Sequence, residues 1–501
     1  MTNHLYDHLI APHHSNDDVF LECSERDPLT YREFVRMSAR LAHVLRASGF
    51  DVGDRIVVQA PKTFEMVALY AAALQAGGVF MPLNTAYKRD ELAYFIADAR
   101  PSVIVCDPAS EVTIAELAEP LGAAVLTLDG DGSGSLTANL DAMPDEFAAA
   151  DRTAHDLAGL LYTSGTTGRS KGAMMSHDNL LSNAVSLVEG WQITKSDRLI
   201  HALPIFHTHG LFVALNTALL SGLRVNFMAK FDLDAIIAAL PNSTLMMGVP
   251  TFYTRLLSDG RLTKELVDGM RLFISGSAPL LAETHVEFTA RTGHAILERY
   301  GMTETNMITS NPYVGDRRAG TVGMPLPGVE IEITDPETGQ LVKDDQVGMI
   351  EVRGPNVFKG YWEMPEKTAE ELRDTGFFIT GDLGKISDDG YLSIVGRAKD
   401  LIITGGYNVY PKEIEDVLND VDGVIESAVV GIPDLDFGEA IVAVVVVDTD
   451  ADRVAERIDD AITGRLARFK HPRRYEFVGE LPRNTMGKVQ KNVLRENYSS
   501  D

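Results

Sequence analysis

The stretch from residue 28 to 84 most constrains what this chain can fold into. LTYREFVRMSARLAHVLRASG repeats its apolar residues at helical spacing, DRIVVQAP reads as a short apolar strand, and FEMVALYAAALQAGG as an apolar helix closed by glycine. The alternation continues: PSVIVCD, AAVLTL and RVNFM carry the strand signal onward with helices between them. Strands that alternate with helices bury both of their faces as a largely parallel sheet covered by those helices. The expected architecture is therefore α/β, built of doubly wound layers. A chain of 501 residues is too long for one hydrophobic core and implies more than one domain.

Two changes of texture divide the chain. Over 320–396 the segments GVEIEITD, GMIEVRG and GYLSIVG are short strands joined by Gly/Asp turns without long helices, which predicts a β-rich subdomain. Beyond VGRAKDLIITGG comes an amphipathic helix, NVYPKEIEDVLNDV, then the strands ESAVVGIPD and EAIVAVVVVD. A helix, DRVAERIDDAITGRLARF, and a strand, PRRYEFVGELP, complete a small α+β unit. The expected division is a large domain over 1–396, a joint at 397–400 and a small domain over 401–501. A large part beside a small one invites a ligand site between them.

The formal net charge of −27 argues against nucleic acid and anionic membranes as partners, since both reward a positive surface. No apolar run approaches the roughly 18–20 residues of a membrane span. The N-terminal MTNHLYDHLIAPHHSNDD lacks the basic start and apolar stretch of a signal peptide, and the final NYSSD matches no retention or peroxisomal address. Cys23 and Cys106 have no metal-like spacing, which fits a reducing, cytoplasmic setting. Any anionic ligand must find cations concentrated locally in a cleft.

Such a concentration exists. YTSGTTGRSKG, 162–172, combines glycines that let backbone approach a ligand (Gly165, Gly168), the hydroxyls of Thr163, Ser164, Thr166 and Thr167, and the cations Arg169 and Lys171. Those groups suit a polyphosphate. The P-loop signature G-x-x-x-x-G-K-[ST] is nevertheless broken, because Ser170 stands where its second glycine belongs and Gly172 follows Lys171. RLIHALPIFHTHGL holds His201, His207 and His209; the last two would share a face on a strand, yet no acidic or Cys ligand accompanies them as a metal site would need. They read as core or rim histidines, or, for His207, as a flank of an acyl site. ERYGMTET sets Glu304 between Thr303 and Thr305, and a carboxylate near a polyphosphate most naturally holds Mg²⁺. GFFITGDLG, GRAKDLIITGG and LPRNTMGK supply Asp382, Arg397, Lys399 and Lys488. Asp382 could accept hydrogen bonds from ribose hydroxyls. Lys488, taken alone, reads as a solvated surface lysine; only the company of the other motifs points it at a site.

Taken in order, YTSGTTGRSKG, HTHGL, YGMTET, TGD, GRAKDLIITGG and PRNTMGK resemble the adenylate-forming superfamily of acyl-CoA synthetases, firefly luciferase and peptide-synthetase adenylation domains, over essentially residues 25–495. RLFISGSAPL, GVPTFY, RYGMTETNM and NVFKGYW are similar to the malonyl-CoA synthetase branch. The resemblance implies a large domain followed by a small mobile one, and a two-step reaction. A carboxylate and ATP form an acyl-adenylate and pyrophosphate; CoA then takes the acyl group and AMP leaves. The implied substrates are malonate, ATP and CoA, with Mg²⁺ near Thr166 and Glu304. Thr163–Lys171 would hold the β- and γ-phosphates, Thr303 the α-phosphate, and Asp382 and Arg397 the ribose. Gly276, Ser277, Ala278, Tyr300, Gly301 and Met302 would border adenine. Lys488 would meet the charge that develops at the α-phosphate. Lys399 would be the hinge, and Gly405 and Gly406 would line the CoA channel.

The residues add an argument about the acid. A dicarboxylate keeps one ionised carboxylate that must be paired, and a planar guanidinium grips it bidentately. RLFIS reads as a strand that projects Arg271, Phe273 and Ser275 to one face, so Arg271 is the expected anchor, helped by Ser275. His207, Thr208 and Met302 would complete the acid pocket, and Thr208 and Met302 would bear on methylmalonate. The competing expectations are another short or aryl acid, transfer to a carrier-protein thiol, a P-loop kinase or ATPase, and a non-catalytic nucleotide-binding regulator.

Overall fold

The computed structural model describes residues 2–163, 170–343, 345–405, 407–434, 437–484 and 487–499. The apolar helix runs Phe64–Gln75, opens on the Thr63 side chain and has every residue buried. Gly77, just beyond its end, takes the left-handed φ of 80° that turns the chain back into the next strand. A helix apolar all round has to be enclosed. Its Phe64 ring packs on Phe227 of one sheet and its Tyr70 ring on Phe80 of another.

The sheet carrying Phe80 has six strands in the order Ala124–Thr127, Val103–Cys106, Arg55–Gln59, Val79–Pro82, Leu157–Thr163, Lys171–Ser176. It is parallel except for the last pair, an antiparallel hairpin. The sheet carrying Phe227 has nine strands, and its centre is parallel: Leu297–Met302, Leu272–Ser275, Leu245–Gly248, Arg198–His201, Arg224–Phe227 and Val19–Glu22. One continuous core joins the two sheets. The doubly wound α/β expectation is met.

The β-rich segment forms a four-stranded antiparallel sheet, Glu330–Thr334, Gly348–Arg353, Phe378–Ile386 and Leu392–Arg397. The C-terminal part builds a separate five-stranded sheet around Gly438–Val447. That strand is apolar at nearly every position because both faces are covered. Ile441, Ala443 and Val445 pack with the helices Pro411–Asn419 and Ala451–Arg465, while Val442, Val444 and Val446 pack with Leu481 and Leu494. No helix among the described residues is long and apolar enough to cross a membrane.

Candidate active site

The parallel strands of the nine-stranded sheet end along one edge, where loops leaving their C-terminal ends can gather functional groups. Leu245–Gly248 leads through Val249 into the helix Pro250–Leu257, and Leu272–Ser275 leads into Gly276, Ser277 and Ala278. Leu297–Met302 turns back into Asn306–Ser310, leaving Thr303, Glu304 and Thr305 at the tip. A cavity of about 340 Å³ lies here, walled by His207, His209, Gly210, Thr251, Arg255 and Ser277 and, from the C-terminal part, by Arg483, Asn484 and Gly487.

Asp382 stands opposite Arg397 in the ladder between their strands. Its Oδ1 is 2.7 Å from Arg397 Nε, and its Oδ2 accepts from the Tyr300 hydroxyl at 2.5 Å. Gly276 and Gly301 are required by close approach. A Cβ on Gly276 would sit 2.5 Å from the Arg299 guanidinium carbon, and one on Gly301 would sit 2.1 Å from the Asn306 carbonyl oxygen. Ser277 adopts φ 74°, a left-handed conformation that a non-glycine residue holds only under constraint. Its Oγ lies 3.2 Å from His209 Nδ1. Met302 packs against the main core.

Thr163 pairs with Lys171 across the hairpin, so the phosphate-type loop joins two antiparallel strands rather than a strand and a helix. That topology removes the P-loop reading. Ser164, Gly165, Thr166, Thr167, Gly168 and Arg169 lie outside the described residues, as does Gly406. Lys171 Nζ sits 3.0 and 3.2 Å from the Glu371 carboxylate oxygens and 4.1 Å above the Tyr361 ring. The Tyr361 hydroxyl lies 2.5 Å from Glu371 Oε2 and 3.1 Å from Glu304 Oε1. A four-residue chain therefore connects Lys171 to Glu304, whose carboxyl is raised above the usual range by burial.

Lys488 remains accessible at the mouth of the cleft. Desolvation there, with Arg397 nearby, lowers its ammonium from the ordinary lysine value against the pull of Asp382 and Glu304. The same lysine acts on His207, whose imidazole burial drives down to about 3. Lys399 lies in the single turn Ala398–Asp400, and Asp400 is bonded at 2.5 Å by Arg495. Gly405 has φ 58° and donates its N–H to the Phe437 carbonyl at 2.8 Å.

Two expectations are corrected. Arg271 does not reach the cavity. It precedes its strand, at the end opposite Gly276–Ala278, and Asp197 holds it with Nε–Oδ1 at 2.7 Å and Nη2–Oδ2 at 2.6 Å. The Trp191 and Gln192 carbonyls and the Tyr313 ring take the rest of its guanidinium. Ser275, at the other end of that strand, is fully buried. The histidine segment is likewise not a strand beyond His201: a loop leads to a π-helical turn, His209–Leu215, closed by the Leu211 N–H on the His207 carbonyl at 2.9 Å.

The guanidiniums at and behind the cavity are instead Arg255, which lines it, and Arg299, buried beside Gly276. Arg255 follows PTFYT at helical spacing, and that position looks like a solvated helix residue in the sequence. Tyr361 and Glu371 carry no local signal, because their partner Lys171 is about two hundred residues away.

This layout of layered sheets, a C-terminal unit bearing a cleft lysine, and an Asp–Arg–Tyr cluster is that of an AMP-binding enzyme. The AMP-binding enzyme family model matches residues 10–362, and the AMP-binding enzyme C-terminal domain model matches 413–488. The chain belongs to this family. Among solved structures, the chain is similar to ATP-bound MatB from Rhodopseudomonas palustris, with 56% identity over 100% of this chain and 99% of that one, and a TM-score of 0.97. Among characterised relatives it is 35% identical to a malonate–CoA ligase from Arabidopsis thaliana, over 89% of this chain and 78% of the relative. It is 36% identical to a feruloyl-CoA synthase from Amycolatopsis, over 94% of each.

Proposed function

We propose that this enzyme is a malonate–CoA ligase that joins malonate to CoA through malonyl-AMP, releasing pyrophosphate in the first step and AMP in the second. The carrying observation is a set of buried polar atoms in and behind the cavity wall that have no partner among the described residues. His207 Nε2 and His209 Nε2 are in the wall itself, Thr208 Oγ1 lies between them in the chain, and Ser275 Oγ and two nitrogens of Arg299 adjoin Gly276. Buried polar atoms are rarely left unbonded, and a small, doubly charged, oxygen-rich acid answers this set. Arg255, with no carboxylate partner among the described residues, is suited to the distal carboxylate, with Arg299 adding positive field behind it.

The division of labour follows. Asp382 and Arg397 take the ribose, Tyr300–Met302 and Gly276–Ala278 border adenine, and Thr303 bonds the α-phosphate. The hairpin loop from Thr163 to Lys171 holds the outer phosphates. Glu304, with the hydroxyl of Thr166, offers an all-oxygen donor set that fits Mg²⁺. Bound there, Mg²⁺ would neutralise phosphate charge. One malonate carboxylate oxygen attacks the α-phosphorus as the bond to pyrophosphate breaks, and Lys488 stabilises the charge on the oxygens between them. His207, neutral at physiological pH, walls the acid without adding charge. In the second step the CoA thiolate attacks the acyl carbon and AMP leaves. Lys488 has to withdraw for that attack, which we assign to rotation of residues 401–501 about Lys399, bringing Gly405 and Gly406 toward the thiol. Methylmalonate places one more methyl near Thr208 and Met302. Cys23 and Cys106, both free, fit a reducing, cytoplasmic location.

The test is kcat/KM for pyrophosphate release with malonate and with acetate, wild type beside Arg255→Ala. A malonate-selective loss of about a hundredfold, on the scale of a lost charged contact, is expected. Equal losses for both acids would remove the distal-carboxylate role from Arg255.

A further inference from the structure

Lys62 lies between the strand Arg55–Gln59 and the helix Phe64–Gln75, in no motif that the reaction uses. Its Nζ bonds His201 Nδ1 at 2.9 Å, the His201 carbonyl at 2.9 Å and the Met228 carbonyl at 2.6 Å, above the Phe227 ring at 4.4 Å. It thus reaches from the crossover of one sheet to the C-terminal ends of two strands of the other. Desolvation keeps its amine well below the ordinary lysine value, but in either charge state it presents an N–H to the imidazole.

The other side of His201 fixes the proton. Nε2 lies 2.9 Å from the Gly210 carbonyl oxygen, which can only accept. The imidazole is neutral, lowered to about 3 by burial and by Lys62. Its one proton is therefore on Nε2, and Nδ1 accepts from Lys62. Gly210 belongs to the turn closed between the Leu211 N–H and the His207 carbonyl, and it has no room to shift: a Cβ there would sit 2.1 Å from the Pro204 carbonyl oxygen. His207, His209 and Gly210 all wall the cavity.

We propose that Lys62 and His201 are positioning residues for the acid pocket: Lys62 at Nδ1 and the Gly210 carbonyl at Nε2 together hold the His201 ring, His201 anchors the Gly210 carbonyl, and that anchor places His207 and His209. The inference rests on the acid-pocket reading above. An apolar residue would fill the Lys62 position if only packing were needed, yet the position carries an amine within hydrogen-bond distance of three polar atoms.

The test uses the full-length enzyme with ¹⁵N-labelled histidine and a pyrophosphate-release assay on malonate, acetate and ferulate. Wild-type His201 should show the Nε2–H tautomer. Lys62→Met, which leaves Nδ1 without its donor, should shift the His201 Nδ1 resonance and raise KM for the best acid about tenfold, with KM for ATP within about twofold. His201→Gln, which keeps an amide N–H near the Nε2 position, should stay close to wild type, whereas His201→Phe should match Lys62→Met. An unchanged acid KM in His201→Phe, or equal rises in both KM values, would overturn the proposal; the two His201 variants decide it if Lys62→Met does not fold. The tautomer and the split between KM values are read with whichever acid leads. A monocarboxylate in the lead would thus count against the malonate reading and not against the relay.

Discussion

At the residue scale, Arg271, the anchor expected from sequence, is held by Asp197 away from the cavity, and Arg255 lines it instead. Arg271 is half of a partly buried pair whose Asp197 side chain is only 4% exposed. Arg271→Ala should cost about 2–4 kcal/mol of stability, between the values for surface and buried pairs, and should leave malonate selectivity intact. Burial works against the Asp197 charge, but bonds from Arg271, the Thr194 amide and the Thr244 hydroxyl win and hold its carboxyl below the usual value. A depressed carboxylate contributes stability that is full above its unfolded value of about 3.9 and is lost as pH falls through the folded one. Thermal unfolding of Arg271→Ala and wild type should therefore differ most near neutrality and converge below about pH 4; a gap independent of pH would show that the pair is not its source. Strand alternation does not say which end of the strand Leu272–Ser275 opens onto the cavity. That end follows from topology, since only the C-terminal ends of parallel strands open onto the cleft. Asp382 and Arg397 are legible as motif residues, though their direct bond depends on a ladder register that no local pattern states.

At the element scale, two segments have testable behaviour. The turn from His201 to Leu215 carries three imidazoles, and burial is the leading cause lowering each of them. A histidine with a depressed folded value costs stability as pH falls below its unfolded value of about 6.5, because the unfolded chain takes up the proton first. Each should remove on the order of 1–2 kcal/mol by pH 5. Hydrogen-exchange protection factors over 209–215, taken relative to the intrinsic rate at each pH, should fall between pH 7 and 5; constant protection factors would contradict neutral burial. The second segment is the helix Pro365–Glu371, whose last residue orients Lys171. Glu371→Gln should raise KM for ATP about three- to tenfold and leave KM for malonate nearly unchanged. Equal changes in both would place Glu371 in general stability instead. The helices and strands themselves are largely legible, because periods of 3.6 and 2 survive in segments such as 64–75 and 438–447. The π-helical turn is not, since a strand-like alternation of His207 and His209 is overridden by Gly210 packing against Pro204.

At the scale of the whole molecule, an acidic chain of net charge −27 surrounds a cleft containing Arg255, Arg299, Arg397 and Lys488. Lys488 comes from the C-terminal part and the other three from the rest of the chain. Lys488→Ala should reduce adenylate formation about 10²–10³-fold, the scale of a lost charge stabiliser, with Tm unchanged because the side chain is exposed. A matching fall in Tm would point to a structural lysine. The central claim is the identity of the acid, and equimolar competition tests it most directly. Enzyme, ATP·Mg²⁺ and CoA are mixed with malonate, acetate and ferulate together, and the thioesters formed are identified by mass. The account predicts malonyl-CoA as the dominant product, collapsing selectively in Arg255→Ala. Acetyl-CoA or feruloyl-CoA in the lead would contradict it and leave an AMP-binding enzyme whose acid is a monocarboxylate.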